Sequence, residues 1–268
     1  MSLPSIRIFS NLPRAGGTLI SRCLGCMEGV VLLSEIHPLS AHIDQRFNPL
    51  AQACQWHQLF SPTELPEGKA LDFVTAIQLI AERCALRSKS LVIRDWAYLD
   101  YMGAPYNPHP SGQSQLAAVL QPHFRIRQCF LVRHPVEQWL SICQGRILKQ
   151  HLSVTAYLQA CLKYAQAARN AAFLRYEDFL QHPGAEMRRL CRYLALDYDE
   201  TFVDKWFAYR NVTGDNFQDS QSFARREIRL PSRKQVPGAL LQQFRRREEY
   251  RQLLDLLAYE DIDEGRII

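Results

Sequence analysis

Short apolar runs alternate along the chain with longer segments in which apolar residues recur at helical intervals. The short runs are 6–9, 30–33, 91–93, 126–132 and 173–175. Apolar runs of this length that are bounded by polar, proline or glycine residues are typical of buried strands. Helical spacing dominates residues 70–86, 155–170 and 177–194, the last with a break at 182–184.

Residues that typically begin or end a helix predict further helices and the loops between them. A helix is predicted to open over 18–24 and another at Pro135, because proline is well suited to the first helical turn. Residues 199–208 are predicted as helical, and the tail, residues 239–259, as one amphipathic helix. The less regular segments are 39–69, with short helices, the loop 101–113, and the polar, turn-rich stretch 211–238.

The alternation of strands and helices predicts an α/β fold. We expect a P-loop-like three-layer sandwich in which helices flank a central parallel sheet. A chain of 268 residues with 47% hydrophobic residues can build a large core, so one domain spanning 1–268 is expected. Ligands of such folds bind at the carboxyl ends of the strands.

Charge narrows the class of ligand. The net charge of +5 favours an anionic ligand such as a phosphate or sulfate. Nucleic acid is not expected as a partner, because no basic run is interleaved with aromatic residues. The arginines at 245–247 precede two glutamates and are interpreted as a solvated helix face. No apolar run approaches the roughly 20 residues that span a membrane.

The eight cysteines do not resemble a disulfide scaffold. With no signal peptide apparent, we expect reduced thiols and a cytoplasmic protein. Cys23 and Cys26 form a CxxC pair, but no second Cys or His pair at matching spacing completes a zinc site. No metal is therefore expected, and a redox role for the pair is the alternative.

Residues 13–19, which follow the first predicted strand, read Pro-Arg-Ala-Gly-Gly-Thr-Leu. Glycines let the backbone approach an anion, the helix start supplies N–H groups and partial positive charge, and Arg14 and Thr18 add donors. No lysine precedes Thr18, so the loop is not a Walker A motif. The alternative is an ordinary strand–helix turn.

This loop resembles the 5′-phosphosulfate loop of sulfotransferases, Pro-Lys/Arg-Ser-Gly-Thr-Thr. The chain keeps Pro13, Arg14, Gly16 and Thr18 and departs at two positions, with Ala15 and Gly17. The resemblance implies that the donor, 3′-phosphoadenosine 5′-phosphosulfate (PAPS), contacts the six residues Arg14, Ala15, Gly16, Gly17, Thr18 and Leu19.

Three further elements resemble the same family and occur in its order. The 3′-phosphate site is matched by Arg133 at a strand end and Ser141 on the next helix. Tyr176 matches a tyrosine that often meets the adenine; the acids after it, Glu177 and Asp178, are interpreted as helix caps. A partial match to the late phosphate clamp and its preceding turn comprises Thr213, Arg233, Lys234 and Gly238.

The resemblance implies metal-free transfer of a sulfuryl group from PAPS to a hydroxyl or amine, with the product PAP. The acceptor would be a small molecule or a peptide, and a homodimer is left open. Some members use a histidine after the third strand, which is absent from 93–96; others use a glutamate after the second. Glu35 is therefore the favoured general base. Asp95 and His37 are the other candidates, and a solvated loop acid is the plain alternative for Glu35.

Two rival functions remain at this stage. One is a P-loop nucleotide kinase using ATP and magnesium, which the missing lysine disfavours. The other is a non-catalytic protein that binds PAP or PAPS on the same fold. Aromatic residues that either line an acceptor cleft or belong to the core are Trp56, Phe60, Trp96, Tyr98 and Tyr101.

Overall fold

The computed structural model describes residues 3–61, 64, 71–214, 226–230 and 235–262. Its described part contains a five-stranded parallel sheet in the order β2-β3-β1-β4-β5. The strands are β1 (Ser5–Asn11), β2 (Val30–Ile36), β3 (Ser90–Asp95), β4 (Arg125–Val132) and β5 (Ala172–Arg175). All five predicted strands and the α/β class are confirmed, and the carboxyl ends of the strands meet at one edge of the sheet.

Helices connect and cover these strands. Those of the first half are α1 (Gly17–Gly25), α2 (Ser40–Ile43), α3 (Pro49–Gln55), α4 (Phe73–Leu86), α5 (Tyr98–Tyr101) and α6 (Gln115–Leu120). Those of the second half are α7 (Pro135–Cys143), α8 (Arg146–His151), α9 (Val154–Arg169), α10 (Tyr176–Gln181), α11 (Pro183–Leu194), α12 (Phe202–Lys205), α13 (Gly238–Arg245) and α14 (Glu248–Leu257). No helix in the described part of the chain is long and apolar enough to cross a membrane.

The sheet is buried on both faces, as its continuous apolar strands require. On one face, Ile6 and Ile8 of β1 belong to a core cluster with side chains of α3, α4 and α6. On the other face, Phe9 belongs to a cluster with α1 and α11. A third cluster, around α9, includes Phe130 of β4 and the apolar faces of α13 and α14.

Side-chain caps decide where two predicted helices begin. Asp72 Oδ1 accepts the N–H of Thr75 at 3.0 Å, so α4 starts at Phe73. Ser153 Oγ accepts the N–H of Ala156 at 3.2 Å, which starts α9 one residue earlier than predicted. Each cap satisfies an N–H group that the first helical turn leaves unpaired.

The tail differs from its prediction as a single helix. The chain breaks between α13 and α14, where Arg247 has extended backbone angles (φ −100°, ψ 129°). The arginine run is therefore not a continuous solvated helix face: Arg245 Nε pairs with Asp261 at 2.7 Å. Because the two helices are separated, both Phe244 of α13 and Leu253 of α14 reach the core around α9.

Two other elements differ in extent. β2 continues through Ile36, past the predicted stop at Ser34, with an irregular register between Leu33 and Ile36. The predicted helix over 199–208 is a short α12 followed by a 3₁₀ turn, Trp206–Ala208. The irregular part of β2 contains Glu35, the favoured general base of the sequence analysis.

Candidate active site

The glycine loop joins β1 to α1 at the carboxyl edge of the sheet. Arg14 and Gly16 both have positive φ, 62° and 93°. These turns set the start of α1 at Gly17, where the first helical N–H groups are available to an anion. Ala15 is 1% exposed, so its side chain points into the protein rather than toward a ligand.

Tyr176 lies against this loop. A methyl group at Gly16 would come within 2.1 Å of the Tyr176 ring, so the ring and the backbone are in direct contact. The Arg133 guanidinium lies 5.1 Å from the centroid of the same ring. Three elements that are far apart in sequence therefore meet at the start of α1.

The departure at Gly17 has a structural counterpart. A side-chain carbon at Gly17 would come within 2.1 Å of Asn11 Oδ1, so the Asn11 amide occupies the space that a larger residue would need. Asn11 Nδ2 donates to the carbonyl of Leu12 at 3.0 Å. The sequence alone gave no reason to connect these two residues.

Arg14 and Ser141, which the resemblance assigns to the 5′-phosphosulfate loop and to the 3′-phosphate site respectively, are in direct contact. Arg14 Nε donates to Ser141 Oγ at 3.0 Å, and Arg133 Nη1 donates to the Arg14 carbonyl at 3.0 Å. Arg133 Nη2 pairs with Glu137 Oε2 at 3.0 Å. Arg133 Nε and Glu137 Oε1 are buried without a hydrogen-bond partner among the described residues. Two arginines, a hydroxyl and an unsatisfied donor suit a phosphate group.

Gln138, which the sequence reasoning missed, attaches the loop to α7. Its Nε2 donates to the Pro13 carbonyl at 2.7 Å. Its Oε1 accepts the hydroxyl of the fully buried Tyr157 at 3.1 Å. The loop and the helix that carries Ser141 are thus held in one arrangement.

Glu35 lies at the end of β2, beside the loop. It has a positive φ of 56°, and its side chain is 13% exposed. Arg94 Nη2 pairs with Glu35 Oε1 at 3.3 Å. A methyl group at Gly214 would lie 3.1 Å from Glu35 Oε1 and 3.2 Å from Thr18 Oγ1. The carboxylate and the loop hydroxyl therefore flank one point.

Asp95 follows Arg94 and points to the opposite face of the sheet, because successive strand residues alternate. It is 1% exposed, and its Oδ2 accepts hydroxyls of Ser10 and Ser114, each at 3.1 Å. Burial, with a smaller contribution from Asp100, raises the pKa of Asp95 to about 7. Its Oδ1 has no hydrogen-bond partner among the described residues.

His37 is fully buried and both its ring nitrogens are engaged. Its Nδ1 accepts the N–H of Leu39 at 3.1 Å, so Nε2 is the protonated nitrogen. Nε2 donates to Asp100 Oδ1 at 3.1 Å. Neither ring nitrogen of His37 is therefore left to form a hydrogen bond with an acceptor substrate.

Two solved structures resemble this chain along nearly its whole length. The sulfotransferase domain from the curacin biosynthetic pathway aligns with a TM-score of 0.63 at 16% identity, over 97% of this chain and 99% of that one. The sulfotransferase domain of the Synechococcus PCC 7002 olefin synthase has a TM-score of 0.63 at 15% identity, over 97% of each chain. The chain has the sulfotransferase fold. No protein-family model and no curated protein matches the sequence.

The remaining cofactor candidates of the sulfotransferase fold are only partly described. Thr213 is 4% exposed, and its Oγ1 lies 2.9 Å from Ser34 Oγ, so it faces the end of β2. Gly238 begins α13, and a methyl group there would meet no described atom within 4 Å. Arg233 and Lys234 lie outside the described residues. Leu19 is on α1, packed against the core cluster of that face.

Glu177 and Asp178 do not cap their own helix, which corrects their interpretation as helix caps. Glu177 Oε1 accepts the N–H of His134, just before α7, at 3.0 Å, and Oε2 accepts the Tyr259 hydroxyl at 2.6 Å. Burial raises the pKa of Glu177. Asp178 pairs instead with Arg175 at 2.8 Å. Glu177 thus stabilises the start of the helix that follows Arg133.

The CxxC cysteines lack the surroundings of a redox-active thiol. Burial raises the pKa of the Cys23 thiol, and that of Cys26 to about 12, opposite to the low value of a redox thiol. Of the aromatic residues, Phe60, Tyr98 and Tyr101 belong to the core, whereas Trp56 and Trp96 are half-buried. No group of three or more metal-binding side chains occurs among the described residues.

Proposed function

We propose that the protein is a PAPS-dependent sulfotransferase that transfers a sulfuryl group to a hydroxyl or amine acceptor and releases PAP. The observation that carries the proposal is the meeting of sequence-distant elements at the start of α1. Arg14 bonds Ser141, Arg133 bonds the Arg14 carbonyl, and Tyr176 packs on Gly16. The fold shared with two sulfotransferase domains supports the same reaction class.

The residues present fit the donor. Arg14, Thr18 and the N–H groups at the start of α1 would hold the 5′-phosphosulfate, while Arg133 and Ser141 would hold the 3′-phosphate. Tyr176 offers an aromatic face to the adenine. Arg233, Lys234 and Gly238 are proposed to complete the 3′-phosphate clamp, as the resemblance implies.

In the proposed reaction the acceptor oxygen or nitrogen attacks sulfur as its proton passes to Glu35. A bond forms between sulfur and the acceptor oxygen or nitrogen, the bond between sulfur and the bridging oxygen of the donor phosphate breaks, and PAP leaves with that oxygen. Arg14, Thr18 and the loop amides stabilise the negative charge that develops on the leaving group. Glu35 is preferred as the base over Asp95 and His37, because both of those residues are buried. Asp95 is hydrogen-bonded to Ser10, and His37 is hydrogen-bonded to Asp100.

The rival functions make different predictions. A P-loop kinase needs a lysine before Thr18, where Gly17 leaves room only for Asn11. A non-catalytic PAP-binding protein would share the phosphate contacts but would yield no product. The two rivals differ from the proposal in ligand preference and in turnover, respectively.

The test combines ligand binding with turnover on the full chain. PAP is expected to raise the melting temperature more than ATP with magnesium at equal concentration, since stabilisation grows with the ratio of ligand to its dissociation constant. PAP release from PAPS is then followed with a panel of alcohol, phenol and amine acceptors. Glu35→Gln is expected to lower kcat by about 100-fold or more, with PAP binding unchanged. The exposed Glu200→Gln is the control.

Each contrary result has its own meaning. Preference for ATP with magnesium would favour the kinase. Stabilisation by PAP without turnover of any acceptor would favour the binding protein. Full activity in Glu35→Gln would remove Glu35 as the base while leaving the transfer reaction intact.

A further inference from the structure

Arg94 is a buried arginine that connects three parts of the candidate site. It is 4% exposed, at the carboxyl end of β3. Its Nε donates to Asn11 Oδ1 at 2.9 Å, and its Nη1 donates to the Thr213 carbonyl at 3.0 Å. Its Nη2 pairs with Glu35 Oε1 at 3.3 Å. One rigid guanidinium thus joins the end of β1, the end of β2 and the segment that contains Thr213.

The backbone of Glu35 needs such support. Glu35, with a φ of 56°, lies in the left-handed region of backbone conformation, which residues other than glycine and asparagine rarely adopt. A strained conformation of this kind persists only when its surroundings hold it. The Arg94 guanidinium, which Asn11 and the Thr213 carbonyl hold in place, supplies a fixed positive charge 3.3 Å from Glu35 Oε1.

The glycine at 214 brings a backbone against the same pair. It has a φ of 100°, and a methyl group there would lie 3.1 Å from Glu35 Oε1 and 3.4 Å from Arg94 Nη1. Since Thr18 Oγ1 lies 3.2 Å from the same point, the ion pair borders the proposed sulfuryl site directly. Arg94 lies on β3, and its ion pair with Glu35 therefore places it next to the proposed reaction centre.

We propose that Arg94 is a positioning residue for the transfer reaction, acting through Glu35. This inference rests on the proposed function. Arg94 holds the carboxylate beside Thr18 so that it faces the acceptor proton. A carboxylate that is already held in this way needs no rearrangement before it accepts the proton.

The alternative is a purely structural arginine, and a double-mutant cycle separates the two. Arg94→Gln is made alone and together with Glu35→Gln. A residue that acts through Glu35 matters only while Glu35 is present, because interacting residues give non-additive effects. We expect Arg94→Gln to lower kcat about 100-fold in the native background, with KM for PAPS within about threefold, and to lower kcat less than about threefold in the Glu35→Gln background.

Two further variants keep the test independent of folding defects. Arg22 is another buried arginine, 1% exposed, which donates to the backbone carbonyls of Phe207 and Tyr209. Arg22→Gln is expected to lower the melting temperature and to change kcat by the same factor in both backgrounds. Arg94→Lys keeps the charge without the fork and is expected to recover part of kcat.

The outcomes are distinguishable. Equal effects of Arg94→Gln in both backgrounds, with a lowered melting temperature, would overturn the inference and leave the proposed sulfotransferase intact. Full activity in Glu35→Gln would overturn the inference together with the assignment of the base. Absence of turnover in the native chain with every acceptor would overturn the proposed function and this inference with it.

Discussion

At the residue scale, the site is built by close approach of backbone to side chains. Gly16 contacts the ring of Tyr176, and Gly17 leaves room for Asn11. The resemblance to sulfotransferase loops predicts a larger residue at position 17, and the Asn11 amide explains its absence here. Asn11 in turn accepts a hydrogen bond from Arg94, so the departure in the loop is connected to the partner of Glu35.

Gly16→Ala is expected to destabilise the protein and to weaken PAP binding. The new methyl group would lie 2.1 Å from the Tyr176 ring, and alanine is strained at a φ of 93°. We expect a loss of about 2–4 kcal/mol in unfolding free energy and at least a tenfold weaker affinity for PAP, measured by urea denaturation and calorimetry.

Gly29→Ala is the matched control for this variant. Gly29 has a similar φ of 82°, but a methyl group there would meet no described atom within 4 Å. It is expected to cost about 1 kcal/mol from backbone strain alone, with PAP binding unchanged. Equal losses in the two variants would mean that the contact with Tyr176 does not matter.

At the element scale, α1 both begins the anion loop and anchors the segment that returns to the site. Arg22 of α1 donates to the carbonyls of Phe207 and Tyr209, and its guanidinium lies 5.0 Å from the Trp206 ring. Gly25 lets the Tyr209 ring approach the same helix. This anchor precedes Thr213 and Gly214, so the helix that presents the loop also orients the chain opposite it.

Arg22→Gln is therefore expected to lower the unfolding free energy by about 2–3 kcal/mol, because charged hydrogen bonds to partly buried carbonyls are lost. Urea denaturation measures the change. Arg251→Gln, whose parent side chain is 63% exposed on α14, is the control and is expected to change stability by less than about 0.5 kcal/mol. A similarly small change for Arg22→Gln would contradict the anchoring role.

At the scale of the whole molecule, the sheet separates apolar clusters, and polar groups are buried at its carboxyl edge. Asp95, Asp100 and His37 are all at most 1% exposed. Such groups are retained at a cost to stability unless they are hydrogen-bonded and charge-balanced. One oxygen of Asp95 has no hydrogen-bond partner among the described residues, and burial raises the pKa of Asp95 to about 7.

Global stability should fall as pH rises through the range set by Asp95. Burial raises its pKa to about 7, above the unfolded value of roughly 3.9. Below the unfolded pKa both states are protonated and its stabilising contribution is complete; from about pH 4 to about pH 7 only the unfolded state ionises, so that contribution is lost. Asp95→Asn removes this dependence.

Urea denaturation between pH 4 and pH 8 measures the effect. The stability of Asp95→Asn relative to the native chain is expected to rise by a few kcal/mol across this range. The exposed Asp204→Asn should follow the native chain in parallel. Parallel curves for Asp95→Asn as well would show that Asp95 ionises normally in the folded protein.

The sequence by itself determined the parallel sheet, its five strands and the loop that begins α1. Those features depend on local patterning: short apolar runs, helical periodicity, and glycines placed just after a strand. The resemblance to sulfotransferases also implied that Arg14, Ser141, Arg133 and Tyr176 share a site. The contacts among the first three, and that of Tyr176 with Gly16, agree with this.

Only the tertiary structure decided which polar residues face the site. Glu35, His37 and Asp95 all follow strand ends in sequence, yet Glu35 borders Thr18 while His37 and Asp95 are buried elsewhere. The partners of Arg94 lie on other strands and on the segment before Gly214, and the break between α13 and α14 depends on packing around α9. Such features arise from contacts between distant residues, and neither periodicity nor spacing along one chain encodes them.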